Sequence, residues 1–219
     1  MSIEDILKNR NTVNLELPTL TLDVNQIPLN SPEKLSEVHQ GEYTGLLNFE
    51  WNYFKRQSVE LCITPQTYSE ITQGKPLNDI GAVANQRLIK SSFYKNRPEN
   101  VRLNLSEPEA NNLWLDMRRD LFPNVSDSAI NENQKSDVTQ IFLHTVASGS
   151  TATNAAFITR DKNFLEKYEK FESKYGVQII TANDAWSFYK PKYSLYAPTE
   201  DEQRELWGQQ KVLIESLEM

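Results

Sequence analysis

Four short apolar runs set the terms of the fold. They are Thr19–Val24 (TLTLDV), Val59–Thr64 (VELCIT), AAFIT at 155–159 and VQIIT at 177–181. Each is β-rich, too short for an ordinary helix, and ends at a turn or a polar residue, as a buried strand does. The segments between them have a different period. Leu46, Leu47, Trp51 and Phe54 recur at helical spacing. TPQTYSEIT starts a helix that Thr64 or Thr67 can cap, and Pro65 suits a first turn. NNLWLDMRRDLF reads as helix, and Val138, Ile141, Phe142 and Thr145 stripe another. NFLEKYEKFESKYG is a helix stopped by Gly176. Short strands alternating with helices predict an α/β chain, a three-layer α/β/α sandwich around a mostly parallel sheet.

The expected organisation is an N-terminal extension over 1–17, one domain over 18–190, and a C-terminal extension over 191–219. Within it the stretch Thr199 to Met219 follows Pro191 and Pro198, and Leu206, Val212, Leu213 and Leu217 give it an apolar side. As a helix it is expected to cover its own domain, with a protein partner as the alternative. Residues 73–104 show no strong period. Within them RLIKSSFYKNRPENVRL reads as a hairpin or an ordered loop.

The inventory of reactive side chains narrows the chemistry. One cysteine, Cys62, forms no internal disulfide and reads as a small buried hydrophobe. Two histidines and no HExxH or CxxC leave almost no room for a zinc site. No GxGxxG or Walker loop is present. Nothing reads as a signal region or a membrane span, so a cytoplasmic protein is expected. What the chain has in quantity is carboxylate, which suits Mg²⁺ or Mn²⁺. Its net charge of -7 requires any nucleic-acid contact to be local or metal-borne.

Four acids are candidates because ligands collect at the carboxyl ends of parallel strands. Asp23 closes the first run, Glu70 follows the second by about a helical turn, and Asp161 directly follows the third. Asp137 lies where its helix turns from polar to apolar. Each has a purely structural alternative. Asp23 fits an Asx turn, Glu70 a capping box with Thr67, Asp137 a helix N-terminus, and Asp161 the cap of the helix near Asn163.

Taken in order, these segments resemble the PIN-domain family. Leu22-Asp23-Val24-Asn25 is similar to its LDxN opening. Ile63-Thr64-Pro65 to Glu70 resembles its second motif, and Asn133 to His144 the helix with its third acid. Phe157 to Phe164 (FITRDKNF) resembles T-x-D-x-[DN]-F, and Val177 to Thr181 the closing strand. The likeness spans about residues 18 to 190 and includes all four motifs.

The resemblance implies a metal-dependent endoribonuclease hydrolysing single-stranded RNA, with family habits that extend to toxins and to stress or defence effectors. Asp23, Glu70, Asp137 and Asp161 would then hold Mg²⁺ or Mn²⁺ and do the catalysis, supported by Asn25, Thr159 and Asn163. The family often has Asp where this chain has Asn163. Asp116, Asp120 and Asp127 are alternatives for one of the four. The runner-up reading is a non-catalytic PIN-like module that binds RNA or a protein. A haloacid-dehalogenase-like phosphatase needs a second Asp at position 25, which is Asn. A homo-oligomer or an inhibitor protein is compatible with the resemblance. A metal site would bring the carboxylates within about 5–6 Å of a common point.

For substrate, Arg87, Lys90, Lys95, Arg97 and Arg102 stand against one acid, with Phe93 and Tyr94 among them. Basic groups interleaved with aromatics suit a single strand, and Arg118 and Arg119 extend the patch. His144, two turns past Asp137, reads as a surface or packing residue.

Overall fold

The structure, a computed structural model, describes residues 16–26, 37–73, 95–96, 105–148 and 154–216. Five strands form one sheet: β1 (Thr19–Leu22), β2 (Glu60–Ile63), β3 (Lys95–Asn96), β4 (Ala155–Ile158) and β5 (Gln178–Ile180). Every pairing is parallel, and the order is β3-β2-β1-β4-β5. Of residues 74–104 only Lys95–Asn96 is described, as a parallel edge strand, and the hairpin or loop reading of the rest lies outside the described residues.

Parallel strands need crossovers, and helices supply them. The crossover helices are α1 (Glu37–Trp51), α2 (Pro65–Gln73), α3 (Glu107–Leu121), α4 (Glu132–Ser148), α5 (Lys162–Leu165) and α6 (Tyr168–Tyr175), and α7 (Ala182–Tyr193) and α8 (Glu200–Ser216) follow the last strand. A single π-type turn, Asn52–Arg56, extends α1 and ends at Gln57 in the left-handed region. The expected helix over 163–176 is broken in two. Lys167, at φ -111° and ψ 6°, leaves helical geometry, and Gly176 at φ 66° ends the second piece.

Alternation along the strands builds two cores. Leu20, Leu22, Leu61, Ile63 and Ile158 face α1 and α7, packing with Phe49, Phe54 and Tyr189. Phe157 and Ile179 join Met117, Val138, Ile141, Phe164 and Phe171 from α3 to α6. Apolar packing on both sides is compatible with an α/β/α sandwich. At Gly45, a Cβ would lie 2.3 Å from the Ala182 carbonyl oxygen, so glycine lets α1 and α7 touch.

The 190/191 boundary falls inside α7, which runs through Pro191 to Tyr193. Beyond it, Leu195 and Leu206 enter the first core. Gln203 of α8 donates to Asn48 at 2.9 Å and Lys55 donates to Gln209 at 2.7 Å. The C-terminal helix therefore covers its own domain. Among the described residues, no helix is long and apolar enough to cross a membrane.

Candidate functional site

With this strand order, the direction of winding reverses between β1 and β4. Their carboxyl ends flank the crevice where parallel sheets place ligands. Asp23 follows β1, and Thr159 and Asp161 follow β4. β1 and β4 register Leu22 opposite Ile158, and the Asp23 N–H donates to the Ile158 carbonyl at 3.0 Å.

Asp23 is 3% exposed, and its carboxylate is held from several sides. Its Oδ2 accepts from Thr159 Oγ1 at 2.6 Å and from Asn25 Nδ2 at 2.7 Å. Thr159 Oγ1 also accepts the Asp161 N–H at 3.0 Å, which joins the two strand ends. Asn25 is clamped in turn. Its Oδ1 accepts the Arg160 N–H at 3.1 Å, and its carbonyl takes Arg160 Nη2 at 2.6 Å. Asn25 and Thr159 therefore hold the Asp23 carboxylate in place. Arg160, which the sequence reading did not single out, fastens the turn.

Glu70 is not in a capping box. Thr64 caps α2 by accepting the Thr67 N–H at 3.0 Å. Glu70 reaches across to α4, where Oε1 accepts from Ser136 Oγ and from Gln140 Nε2 at 3.2 Å. Gln66 Nε2 also approaches Oε1 at 3.3 Å. Ser136, Gln140, His144 and Ser148 stand four apart on α4, so they share one face. That polar stripe was the available signal for Ser136 and Gln140. His144 is not a surface residue. It is 1% exposed, with Nδ1 2.8 Å from Thr21 Oγ1.

Asp137 is half-buried on α4. Asp161 caps α5, accepting the Asn163 N–H at 2.7 Å, as its structural alternative anticipated. Asn163 contributes that backbone N–H and is exposed.

The electrostatics unite the four. Burial and the charges of Asp23, Asp161 and Glu70 push the Asp137 carboxyl up to about 7. Burial also raises Asp23 to about 6, against the hydrogen bonds from Thr159 and Val24, with Glu70 and Asp161 adding to the rise. Burial raises Glu70 as well, opposed by Gln66 and Gln140. Among the described residues, none of the four pairs with a base.

The alternative acids differ. Asp120 takes Lys170 at 2.6 Å, Lys174 at 2.8 Å and the Tyr175 hydroxyl at 2.7 Å. Burial pushes it up, but these partners win and hold it at about 2. Asp127 pairs with Arg118 at 2.5 Å, and Asp116 with Arg119 at 3.7 Å.

Among the described residues, no group of three His, Cys, Asp or Glu side chains could hold a metal ion as they stand. The donor set still fits a hard divalent cation, because it consists of oxygens whose negative charge no described base balances. Mg²⁺ in particular binds through one or two carboxylates and keeps several waters.

The expected substrate patch is only partly in view. Arg87, Lys90, Phe93, Tyr94, Arg97 and Arg102 lie outside the described residues, and Lys95 is described only as part of β3. Arg118 is 3% exposed and bonded to Asp127 and the Val125 carbonyl, so it braces a loop and is not on a binding surface. Arg119 is exposed, between Asp116 and Asp127. No family model matches this chain, and no curated protein or solved structure matches it.

Proposed function

We propose that the chain is a Mg²⁺- or Mn²⁺-dependent nuclease, cutting single-stranded RNA in preference to DNA, with Asp23, Glu70, Asp137 and Asp161 as its carboxylates. One observation carries the reading. Four acids from four separate segments gather around the switch point of a parallel sheet, where the other three raise the Asp137 carboxyl and no described base pairs with any of them. A purely structural cluster would relieve that cost with a cation of its own, as Asp120 does with Lys170 and Lys174. The preference for RNA, and the PIN-like identity behind it, rest on the resemblance of the four motifs.

Asp23 and Asp137 would hold the ion directly or through water, with Glu70 and Asp161 completing its surroundings. Bound there, the ion supplies Lewis-acid stabilisation of phosphate charge and a more acidic water. The chain's own part is preorganisation. Thr159 and Asn25 fix Asp23, Arg160 fixes Asn25, and Ser136 and Gln140 fix Glu70. Burial keeps bulk water from screening Asp23, Thr159 and Gln140.

A second reading has its own observation. The carboxylates as they stand do not form a group able to hold a metal. A non-catalytic module binding RNA or a protein would need none. Incubation of the chain with single-stranded RNA and Mg²⁺ or Mn²⁺ separates the two. Cleavage stopped by EDTA and abolished in Asp23→Asn and Asp137→Asn is expected. Cleavage undiminished in both variants refutes the site, and no cleavage of RNA or DNA with either ion favours the module.

A further inference from the structure

Gln140 is 1% exposed, and both ends of its amide are engaged. Its Oε1 accepts from Thr67 Oγ1 at 3.0 Å, and its Nε2 donates to Glu70 Oε1 at 3.2 Å. The orientation is chemically fixed. Turning the amide over would set its oxygen against the Glu70 carboxylate, which can only accept. Thr67 Oγ1 lies 3.0 Å from Thr64 Oγ1, and Thr64 Oγ1 accepts the Thr67 N–H. Donation therefore runs from the Thr64 hydroxyl to Thr67, from Thr67 to Gln140, and from Gln140 to Glu70. The relay starts at the carboxyl end of β2 and ends on a carboxylate assigned to the site.

We infer that Gln140 is a positioning residue, which ties the Glu70 carboxylate to the sheet through Thr67 and Thr64 so that its place is set before an ion arrives. The inference rests on the nuclease reading for what Glu70 does. Gln140 acts only through Glu70. Ser136 and Gln66 bond the same oxygen from half-exposed positions, whereas Gln140 does so from the interior, where a hydrogen bond to charge is least screened.

The test uses the full chain, with Gln140→Leu, Thr67→Val and Thr67→Ser. Two readouts are taken: Mn²⁺ affinity by calorimetry, and kcat and KM on a single-stranded RNA at saturating Mn²⁺. Thermal melts confirm folding. Gln140→Leu is expected to cost between about tenfold and a hundredfold in Mn²⁺ affinity or kcat, with KM for RNA unchanged. Thr67→Val is expected to move the same quantity in the same direction, and Thr67→Ser, which keeps the hydroxyl, to restore it. A merely structural residue would not give that rescue.

Wild-type Mn²⁺ affinity and kcat in folded Gln140→Leu would overturn the inference. If Gln140→Leu does not fold, equal behaviour of Thr67→Val and Thr67→Ser overturns it. If the wild type binds Mn²⁺ but cleaves nothing, the nuclease reading fails, and the effect of Gln140→Leu on Mn²⁺ affinity still decides for or against Gln140. Absence of Mn²⁺ binding by the wild type overturns both.

Discussion

Replacing Asp137 with its neutral isostere should stabilise the metal-free protein at pH 8. Burial and three neighbouring carboxylates raise the Asp137 carboxyl from 3.8 to about 7. At 1.36 kcal/mol per pK unit, a rise of about three units amounts to roughly 4 kcal/mol. Asp137 is half-buried and the cluster can relax, so about 2 kcal/mol is the working figure. The sign follows from linkage. The folded-state pKa lies above the unfolded one, so the unfolded chain loses this proton first. Stability from this group is full below about pH 4 and falls until the pH passes about 7. Asp137→Asn has no proton to lose. Its advantage over wild type should be near zero at pH 4, should widen through pH 6, and should reach about 2 kcal/mol at pH 8. Urea denaturation in EDTA, followed by far-ultraviolet circular dichroism at those three pH values, measures it. Adding Mg²⁺ at pH 8 should stabilise the wild type more than the variant, because only the wild type has the full charge to neutralise. A variant less stable than wild type at pH 8 in EDTA, or a gap that does not change with pH, would falsify the account of mutual repulsion.

The same exchange at Asp23 should stabilise less, because its carboxyl rises only to about 6 and Asp23→Asn turns the bonds from Thr159 and Asn25 to a carboxylate into weaker ones to an amide oxygen; urea midpoints of the two variants at pH 8 should diverge. Thr159→Val removes a buried bond to a carboxylate and should cost about 2 kcal/mol, with Thr159→Ser close to wild type in the same titration. Asp120 is the mirror case of Asp137, since its folded-state value of about 2 lies below the unfolded one. Its contribution, about 1 kcal/mol once the exposed lysines are discounted, is present above pH 4 and lost as the pH falls toward 2. Asp120→Asn should therefore flatten the acid limb of the unfolding curve. Gly45→Ala drives a Cβ to 2.3 Å from the Ala182 carbonyl oxygen and should cost about 2 kcal/mol or more by prising α1 from α7, read as a lower melting temperature.

Four of the five strands were legible because β-rich runs of four or five residues have few other uses; β3, two residues long, left no such run. Their parallel order followed from the helices between them. The acids at strand ends were legible for the same reason, since Asp23 and Asp161 stand where a strand stops. What escaped is what depends on partners far away in sequence. Arg118 looked like surface charge, yet α3 turns it inward beside Met117 and Leu121, where Asp127 returns to meet it. Gln140 meets Thr67 and Glu70 across about seventy residues, and no local pattern announces that meeting.

Glu70 shows how such an ambiguity is resolved physically. Thr67-Tyr68-Ser69-Glu70 satisfies the capping-box pattern, so the segment alone allowed two uses of the carboxylate. The register of the helix start decides between them. Pro65 has no N–H and a fixed φ, so it belongs at the first helical position. Thr64 then becomes the cap, Thr67 takes the third position, and its N–H goes to Thr64 Oγ1. Glu70 is left a full turn past the cap, where its side chain cannot reach back to the cap's own N–H. One proline thus moves the cap back by three residues and frees Glu70 to face Ser136 and Gln140 on α4. Substituting Pro65 should therefore disturb the candidate site through the helix register, although Pro65 bears no charge and touches none of the other three acids through a hydrogen bond.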